Sequence, residues 1–258
     1  MTPLEAVLII LAGIWAGTIN TIVGSGSLVT FPTLLFLGIP PVTANVSNSI
    51  GMLGGGLTGS WGYRRELAGT WKRLLTRLVP WSFAGAVIGA LLLLMLPEEA
   101  FSVIVPVLIL LGIALVIFGP RLNRWARGRH SDDQAHEPMW HRVALAGGLT
   151  LAGIYGGYFG AAQGVILMGL LSVLSSEPLQ RLNGWKNILA LTANLVSSVV
   201  FLIVAPQHIM WDVVLYLVIG TLIGGFIGAG VGRRLPDPIL RAVIVVVGLL
   251  GIARLVFG

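Results

Sequence analysis

Cysteine is absent from this chain of 258 residues. Its absence excludes disulfide bonds, thiolate metal sites and thiol chemistry. Charged residues are also scarce: they make up 10% of the sequence, against about a quarter in soluble domains. Hydrophobic residues make up 56%, and the mean hydropathy is +0.93. The composition therefore excludes an ordinary soluble domain and indicates an integral membrane protein.

Positive charge is missing from the first part of the chain, where no lysine or arginine precedes Arg64. The net charge of +6 could suggest a nucleic-acid-binding protein. However, the basic residues lie between apolar runs, where they orient a protein in a membrane, so we expect no nucleic acid partner. Residues 1–5 also lack the basic region of a cleavable signal peptide. The expected location is the cell (inner) membrane, crossed several times.

Long apolar runs are present in number. Several approach the roughly 20 residues that a helix needs to cross a bilayer. These runs cover residues 42–62, 78–97, 100–119, 187–205, 213–232 and 242–253.

The chain also contains a duplication. The sequence GIALVIFG at 112–119 recurs 139 positions later as GIARLVFG at 251–258. We therefore expect a first transmembrane repeat at 1–120, a cytoplasmic polar linker at 121–141 and a second transmembrane repeat at 142–258.

The charge bias is reversed between the two repeats. Loop 63–77 holds five basic residues, whereas its counterpart at 205–212 holds no lysine or arginine. The turn 97–99 holds no cation, whereas its counterpart at 233–241 holds three. Since basic loops stay in the cytoplasm, the two repeats should have opposite orientations, as in transporters built from inverted repeats.

The first run of each repeat is longer than one span and shorter than two. Residues 4–37 and 143–174 each contain glycines near the middle, which predicts a short broken-helix hairpin. With three spanning helices per repeat, the sequence predicts an all-α polytopic membrane protein of two inverted repeats and about ten membrane segments.

The hairpins are the first candidate site. Broken backbone at membrane depth is tolerated where it is buried in protein or lines a cavity, and free N–H groups at helix N-termini suit an anion. The alternative is a purely structural kink. The polar residues near the two turns are Asn20, Thr21, Ser25 and Ser27 in the first hairpin, and Tyr155, Tyr158 and Gln163 in the second.

A second polar pair follows the hairpins at symmetric positions, since Asn45 and Asn183 are 138 positions apart. The alternative role for these segments is helix capping. Lys186 is the cation of the set, and it either binds an anion or extends to the cytoplasmic interface. The candidate substrate-binding residues here are Asn45, Ser47, Asn48, Asn183, Trp185, Lys186 and Asn187. We expect no catalytic residue, no metal site and no cofactor.

In their order and duplication these motifs resemble the TauE/SafE sulfite-exporter family. The resemblance rests on the segments GSGS at 24–27, PP at 40–41, ANVSN at 44–48, GGFIG at 224–228 and RRLP at 233–236. It covers nearly the whole chain and implies transport of sulfite, thiosulfate, sulfonates or similar small anions. Val46 and the segment at 183–186 depart from the glycine-containing family pattern, which leaves the substrate open.

The sequence thus favours a transporter of small anions that works by alternating access between two inverted repeats. An anion channel shares every fold signal and stays an alternative. A far weaker alternative is an intramembrane serine hydrolase with Ser25 or Ser27 as nucleophile and His208 as base. The expected partners are a small anionic substrate and the lipid bilayer, with assembly of identical copies left open.

Overall fold

The computed structural model is helical in every regular element that it describes. The structure describes residues 1–127, 139–175 and 177–231, together with Val245, Val246 and Leu249.

The helices follow the predicted order. They are α1 (Pro3–Ile22), α2 (Ser27–Phe36), α3 (Pro41–Gly62), α4 (Arg64–Leu67), α5 (Trp71–Arg73), α6 (Val79–Met95), α7 (Glu98–Arg127), α8 (Met139–Tyr158), α9 (Gln163–Leu174), α10 (Leu179–Val204) and α11 (Trp211–Val231). A π-helical segment, Leu74–Leu78, joins α5 to α6, and a 3-10 turn, Pro206–His208, precedes α11. The all-α prediction is confirmed, while most of the last predicted run, 242–253, lies outside the described residues.

Five helical segments are long and apolar enough to cross a membrane. They are Pro3–Ile22, Trp71–Met95, Glu99–Phe118, Leu179–Val204 and Trp211–Gly230. The chain is therefore an integral, multi-pass membrane protein. Helix α3 has 22 residues, a length of about 33 Å, but its glycines and polar residues make it less apolar than these five.

Both predicted hairpins are present, and their arms are unequal. The first arms, α1 and α8, have 20 residues each, whereas the second arms, α2 and α9, have 10 and 12. The arms are joined by the first hairpin turn, residues 23–26, and the second hairpin turn, residues 159–162.

Proline sets the start of the helices that follow the hairpins. Pro40 and Pro178 are the N-cap residues of α3 and α10, and neither helix has a side-chain cap hydrogen bond. Asn45 and Asn183 therefore lie inside their helices and do not cap them. The capping interpretation of these polar segments is wrong.

Helices extend into the predicted linker from both sides. Helix α7 continues to Arg127 and α8 begins at Met139, so residues 121–127 and 139–141 of the predicted linker 121–141 are helical. The remaining positions, 128–138, lie outside the described residues.

The long helices pack as two sets of three, and each set draws on both halves of the sequence. In one set α11 lies against α1 and α3; in the other α6 lies against α8 and α10. Glycines make both contacts close: Gly13 faces Gly220, and Gly153 faces Gly85. The two contacts are alike: a Cβ atom on Gly220 would meet Ile10, Gly13 and Ile14, and one on Gly85 would meet Thr150, Gly153 and Ile154, each 140 positions later in the chain. Small residues allow such close approach of helices in membranes.

Helix α3 and its sequence counterpart α10 run antiparallel. At the start of α3, the Ser47 hydroxyl accepts a hydrogen bond from the backbone N–H of Met210, just beyond the end of α10. At the end of α3, the Tyr63 hydroxyl accepts a hydrogen bond from Asn183, near the start of α10. The segment around Gly69 and the 3-10 turn Pro206–His208 therefore lie at opposite ends of α3.

Candidate functional site

The first hairpin turn touches the start of α9, directly after the second hairpin turn. The backbone N–H of Gly164 donates a hydrogen bond of 2.9 Å to the carbonyl oxygen of Gly24. Gly24 has a φ of 85°, a backbone conformation that glycine adopts without steric cost. A Cβ atom on either glycine would overlap the backbone of the other. The contact between the two hairpins therefore depends on glycine at both positions.

Lys186 reaches this convergence from α10. Its side chain is fully buried, at 0% exposure. Its Nζ donates to the carbonyl oxygens of Thr21, Ile22 and Asn20 at 3.1, 3.3 and 3.4 Å. These are the last carbonyls of α1, which have no partner within the helix. The interpretation that Lys186 extends to the membrane interface is wrong.

Asn187 assists Lys186 at the same helix end. Its amide nitrogen donates to the Thr21 carbonyl at 3.4 Å. The hydroxyl of Thr21 is bonded within its own helix, to the Gly17 carbonyl at 2.9 Å. The C-terminal end of α1, which carries the negative end of the helix dipole, is therefore held by one cation and one amide.

Helix α3 contributes two asparagines to the site. The amide nitrogen of Asn45 donates to the carbonyl of Tyr158, the last residue of α8, at 2.9 Å. The amide nitrogen of Asn48 donates to the Ser27 hydroxyl at 3.1 Å, and its amide oxygen accepts from the Thr30 hydroxyl at 2.5 Å. Asn45 thus contacts the second hairpin, and Asn48 the first turn of α2.

Two polar side chains of the second hairpin bond within that hairpin. The Tyr155 hydroxyl donates to the Ala161 carbonyl at 2.5 Å. The Gln163 amide nitrogen donates to the Ala152 carbonyl at 3.1 Å. Both bonds stabilise the turn between α8 and α9. The Tyr155 hydroxyl and the Gln163 amide nitrogen are thus already hydrogen-bonded in the described conformation.

A few buried polar atoms at the convergence have no partner among the described residues. They are Ser25 Oγ, the Tyr158 hydroxyl and Asn45 Oδ1. Ser25 is 1% exposed and follows Gly24 directly in the first hairpin turn. An unpaired buried polar group costs about 1–3 kcal/mol, and these three atoms have hydrogen-bonding capacity left for a polar ligand.

Three of the predicted residues lie elsewhere. Ser47 bonds to the backbone of Met210, and Asn183 bonds to the Tyr63 hydroxyl. The indole nitrogen of Trp185 donates to the Thr70 hydroxyl at 3.2 Å. These side chains connect α3 and α10 to loops at the two ends of the bundle.

Sequence reasoning missed Thr30, whose side chain is fully buried and bonded to Asn48. It lies in the apolar sequence of α2, where a single threonine does not indicate a binding site. Its spacing of three from Ser27 puts both residues on one face of α2. That spacing is the signal that could have identified it.

The convergence has a defined electrostatic character. The N-terminus of α2 brings the positive end of a helix dipole, and the Lys186 amine lies against the negative end of α1. Among the described residues, no group of three or more His, Cys, Asp or Glu side chains is arranged to hold a metal ion.

Comparison with known proteins agrees along nearly the whole chain. Residues 9–255 match the family model described as sulfite exporter TauE/SafE. A probable membrane transporter protein of Haemophilus influenzae is 27% identical over 248 residues, covering 95% of this chain and 92% of the relative. The probable membrane transporter protein YfcA of Escherichia coli is 25% identical, covering 100% of this chain and 91% of the relative.

A third relative, the probable membrane transporter protein YunE of Bacillus subtilis, is 26% identical and covers 94% of this chain and 95% of the relative. No solved structure matches the chain.

Proposed function

Because the chain belongs to the sulfite exporter TauE/SafE family and is a membrane transporter, we propose that it carries small sulfur-containing or organic anions, such as sulfite, thiosulfate or sulfonates. The proposed location is the cell (inner) membrane. The observation that carries the proposal is the meeting of the two hairpins beside buried, unpartnered donors.

The donors suit an anion that has lost its water. A desolvated anion needs donors or a cation in place of its hydration shell. The hydroxyls of Ser25 and Tyr158 can each donate one hydrogen bond without breaking any bond among the described residues. Lys186 contributes through its charge, since its three N–H groups are already directed at the end of α1. It offsets the negative helix end, which would otherwise repel an anion.

The packing supports movement of two bodies around this site. One body contains α1, α3 and α11, the other contains α6, α8 and α10, and α3 packs on α10 between them. Each is held by close glycine contacts, while the hydrogen bond between Gly164 and Gly24 lies where the two hairpins meet. We propose that the two bodies rock against each other and expose the site alternately to the two sides of the membrane. The antiparallel course of α3 and α10 supports the inverted relation of the repeats that this mechanism uses.

The test is uptake of labelled sulfite, thiosulfate and a small sulfonate into proteoliposomes. Ser25→Ala should raise the apparent KM roughly tenfold or more, because a hydrogen bond to a charged group contributes about 1.5–3 kcal/mol. Ser172→Ala is the matched control. Ser172 is also a buried serine without a partner among the described residues, but it lies nine residues beyond Gln163 in α9, about 14 Å along the helix.

The control should keep the wild-type KM. If Ser25→Ala also keeps it, the hairpin turn is not the binding site. Absence of uptake for every one of these anions, by protein that is folded and correctly inserted, would reject the substrate class itself.

The hydrolase alternative finds no support in the geometry. The Ser25 hydroxyl has no hydrogen-bond partner among the described residues, so no general base adjoins it there. The Ser27 hydroxyl is bonded to Asn48. Nδ1 of His208 lies 3.5 Å from the Thr43 hydroxyl, at the start of α3.

A further inference from the structure

A second site lies beside the first turns of α8, at the opposite end of that helix from the second hairpin turn. It is a pocket of about 320 Å³ between the segment that leads into α6 and the first turns of α8. Three arginines line it, Arg73, Arg77 and Arg142, together with the hydroxyl-bearing Thr76. Arg73 and Arg77 belong to the loop 63–77 that the charge pattern predicts to be cytoplasmic, and Arg142 directly follows the predicted cytoplasmic linker.

The charge in this pocket is only partly balanced. Arg73 forms an ion pair with Glu177 at 3.1 Å and lies 5.3 Å from the ring centre of Trp185. Arg77 and Arg142 have no acidic partner within the part of the chain that the structure describes. Two uncompensated guanidinium groups therefore face the same space, and their planar donor arrangement matches phosphate oxygens.

The pocket continues into an apolar groove. This groove has a volume of about 610 Å³ and shares Trp81, Arg142 and Ala146 with the basic pocket. Its other walls include Val143 and Leu151, which are 65% and 68% exposed on the outer surface of the bundle. A site that is basic at one end and apolar along its length is complementary to a phospholipid, which has a charged headgroup and apolar acyl chains.

The groove is kept open by Gly147. A Cβ atom added there would meet nothing within 4 Å. The residue therefore lines the groove without packing against another helix, unlike Gly153 in the same helix.

The pocket is distinct from the proposed transport site. Arg142 and Tyr158 are sixteen residues apart in one helix, which separates them by about 24 Å along its axis. The groove also faces outward, where lipid tails surround the protein. An apolar groove of this kind offers few hydrogen-bond donors that would bind a small transported anion.

We propose that an anionic phospholipid binds here, with its phosphate on Arg77 and Arg142 and one acyl chain along the groove beside Trp81 and Gly147. Basic pockets between membrane helices on the cytoplasmic side suit anionic headgroups, and the cytoplasmic leaflet supplies such lipids. Trp81 is 47% exposed and lies where the pocket meets the groove. Its amphipathic ring suits the headgroup level of the bilayer.

The experiment measures thermal stabilisation of detergent-purified protein during titration with dioleoyl phosphatidylglycerol. Dioleoyl phosphatidylcholine tests the same chains without net charge, and inorganic phosphate and sulfite test anions without chains. The anionic lipid should raise the Tm and saturate, and the other three additives should not reproduce the shift.

Two variants separate the ends of the site. Arg77→Gln combined with Arg142→Gln should weaken the apparent lipid affinity roughly 30-fold, because each basic residue near the surface contributes about 1 kcal/mol to attraction of anionic lipid. Its control is Arg65→Gln combined with Lys72→Gln, which removes the same charge from exposed residues outside the pocket. Gly147→Leu should weaken the affinity several-fold by filling the groove, and its control is Gly230→Leu, another glycine with open space beside it.

The proposal is overturned if phosphatidylcholine stabilises the protein equally, or if the arginine pair and Gly147→Leu both retain wild-type affinity. A full shift with phosphate or sulfite would assign the pocket to a free anion and would also overturn it. None of these results depends on transport, so failure here leaves the proposed function untouched, and a chain that transports none of the anions can still bind the lipid.

Discussion

Gly24 and Gly164 are 140 positions apart in the sequence and touch each other in the structure, the first in the first hairpin turn and the second in the first turn of α9. The carbonyl of Gly24 accepts the N–H of Gly164 at 2.9 Å. Since a Cβ atom on either residue would overlap the backbone of the other, the distance between the hairpins is set by the absence of two side chains.

Alanine at Gly24 should therefore destabilise the protein more than strained backbone alone would. Gly38 provides the matched control, because its φ of 81° is close to the 85° of Gly24 but a Cβ atom there meets nothing within 4 Å. Gly38→Ala should cost about 1–2 kcal/mol from the left-handed backbone. Gly24→Ala should cost more, since the second hairpin must also move away. Thermal unfolding in detergent measures both, and equal losses in Tm would show that the contact contributes nothing.

Sequence patterns predicted the hairpins because glycines in the middle of a long apolar run mark a break in the helix. Such a break at membrane depth must be buried in protein or line a cavity. The same patterns could not predict how Lys186 is used. A lysine at that position can bind an anion, extend to the interface or cap another helix, and the choice depends on where the end of α1 lies. That is a tertiary relation between residues more than 160 positions apart, and periodicity within α10 does not encode it.

Lys186 should affect stability and substrate affinity separately. Lys186→Met removes every donor from the last carbonyls of α1 except that of Asn187, so the folded state should lose about 1–3 kcal/mol, the cost of leaving a buried polar group unsatisfied. Lys186→Gln keeps donors but removes the charge. It should retain part of the stability and still raise the KM for the anion, because the negative end of α1 is then uncompensated.

Thermal unfolding and proteoliposome uptake, measured on the same preparations, separate these effects. Transport by Lys186→Gln with the wild-type KM would show that the helix end needs donors and not charge. In that case Lys186 is a structural residue of the first hairpin.

Spacing also placed Ser47, Asn183 and Trp185 in the site, and the structure puts them against other loops. Their segments were identified correctly, but side chains along a helix face different directions. Asn45 and Asn48 are three apart and share a face, whereas Ser47 points toward Met210. Choosing among polar residues in one helix therefore requires knowledge of which helix packs on which side.

Alternating access predicts that the Ser25 position opens to one side of the membrane at a time. Since the chain has no cysteine, Ser25→Cys creates a single target for a membrane-impermeant thiol reagent. Labelling should occur from one side in the absence of substrate, and a saturating anion should change its rate. Comparable labelling from both sides at once, with or without the anion, would favour a channel. Ser172→Cys, buried in α9 away from the turns, should react slowly under all conditions.

The orientation of the two halves is the last expectation to test. The segment around Gly69 and the 3-10 turn containing Gln207 lie at opposite ends of α3, separated by about 33 Å, which is close to the thickness of a bilayer core. The segment around Gly69 is flanked by basic residues, whereas the 3-10 turn lies in residues 205–212, where His208 is the one basic residue. Gly69→Cys should therefore be labelled only from the cytoplasm and Gln207→Cys only from outside.

Because Gly69 has a φ of 79°, replacing it by cysteine strains the backbone. Ala68→Cys, at the neighbouring position, therefore serves as a second probe. Labelling of positions 68 and 207 from the same side would contradict both the charge argument and the transmembrane course of α3.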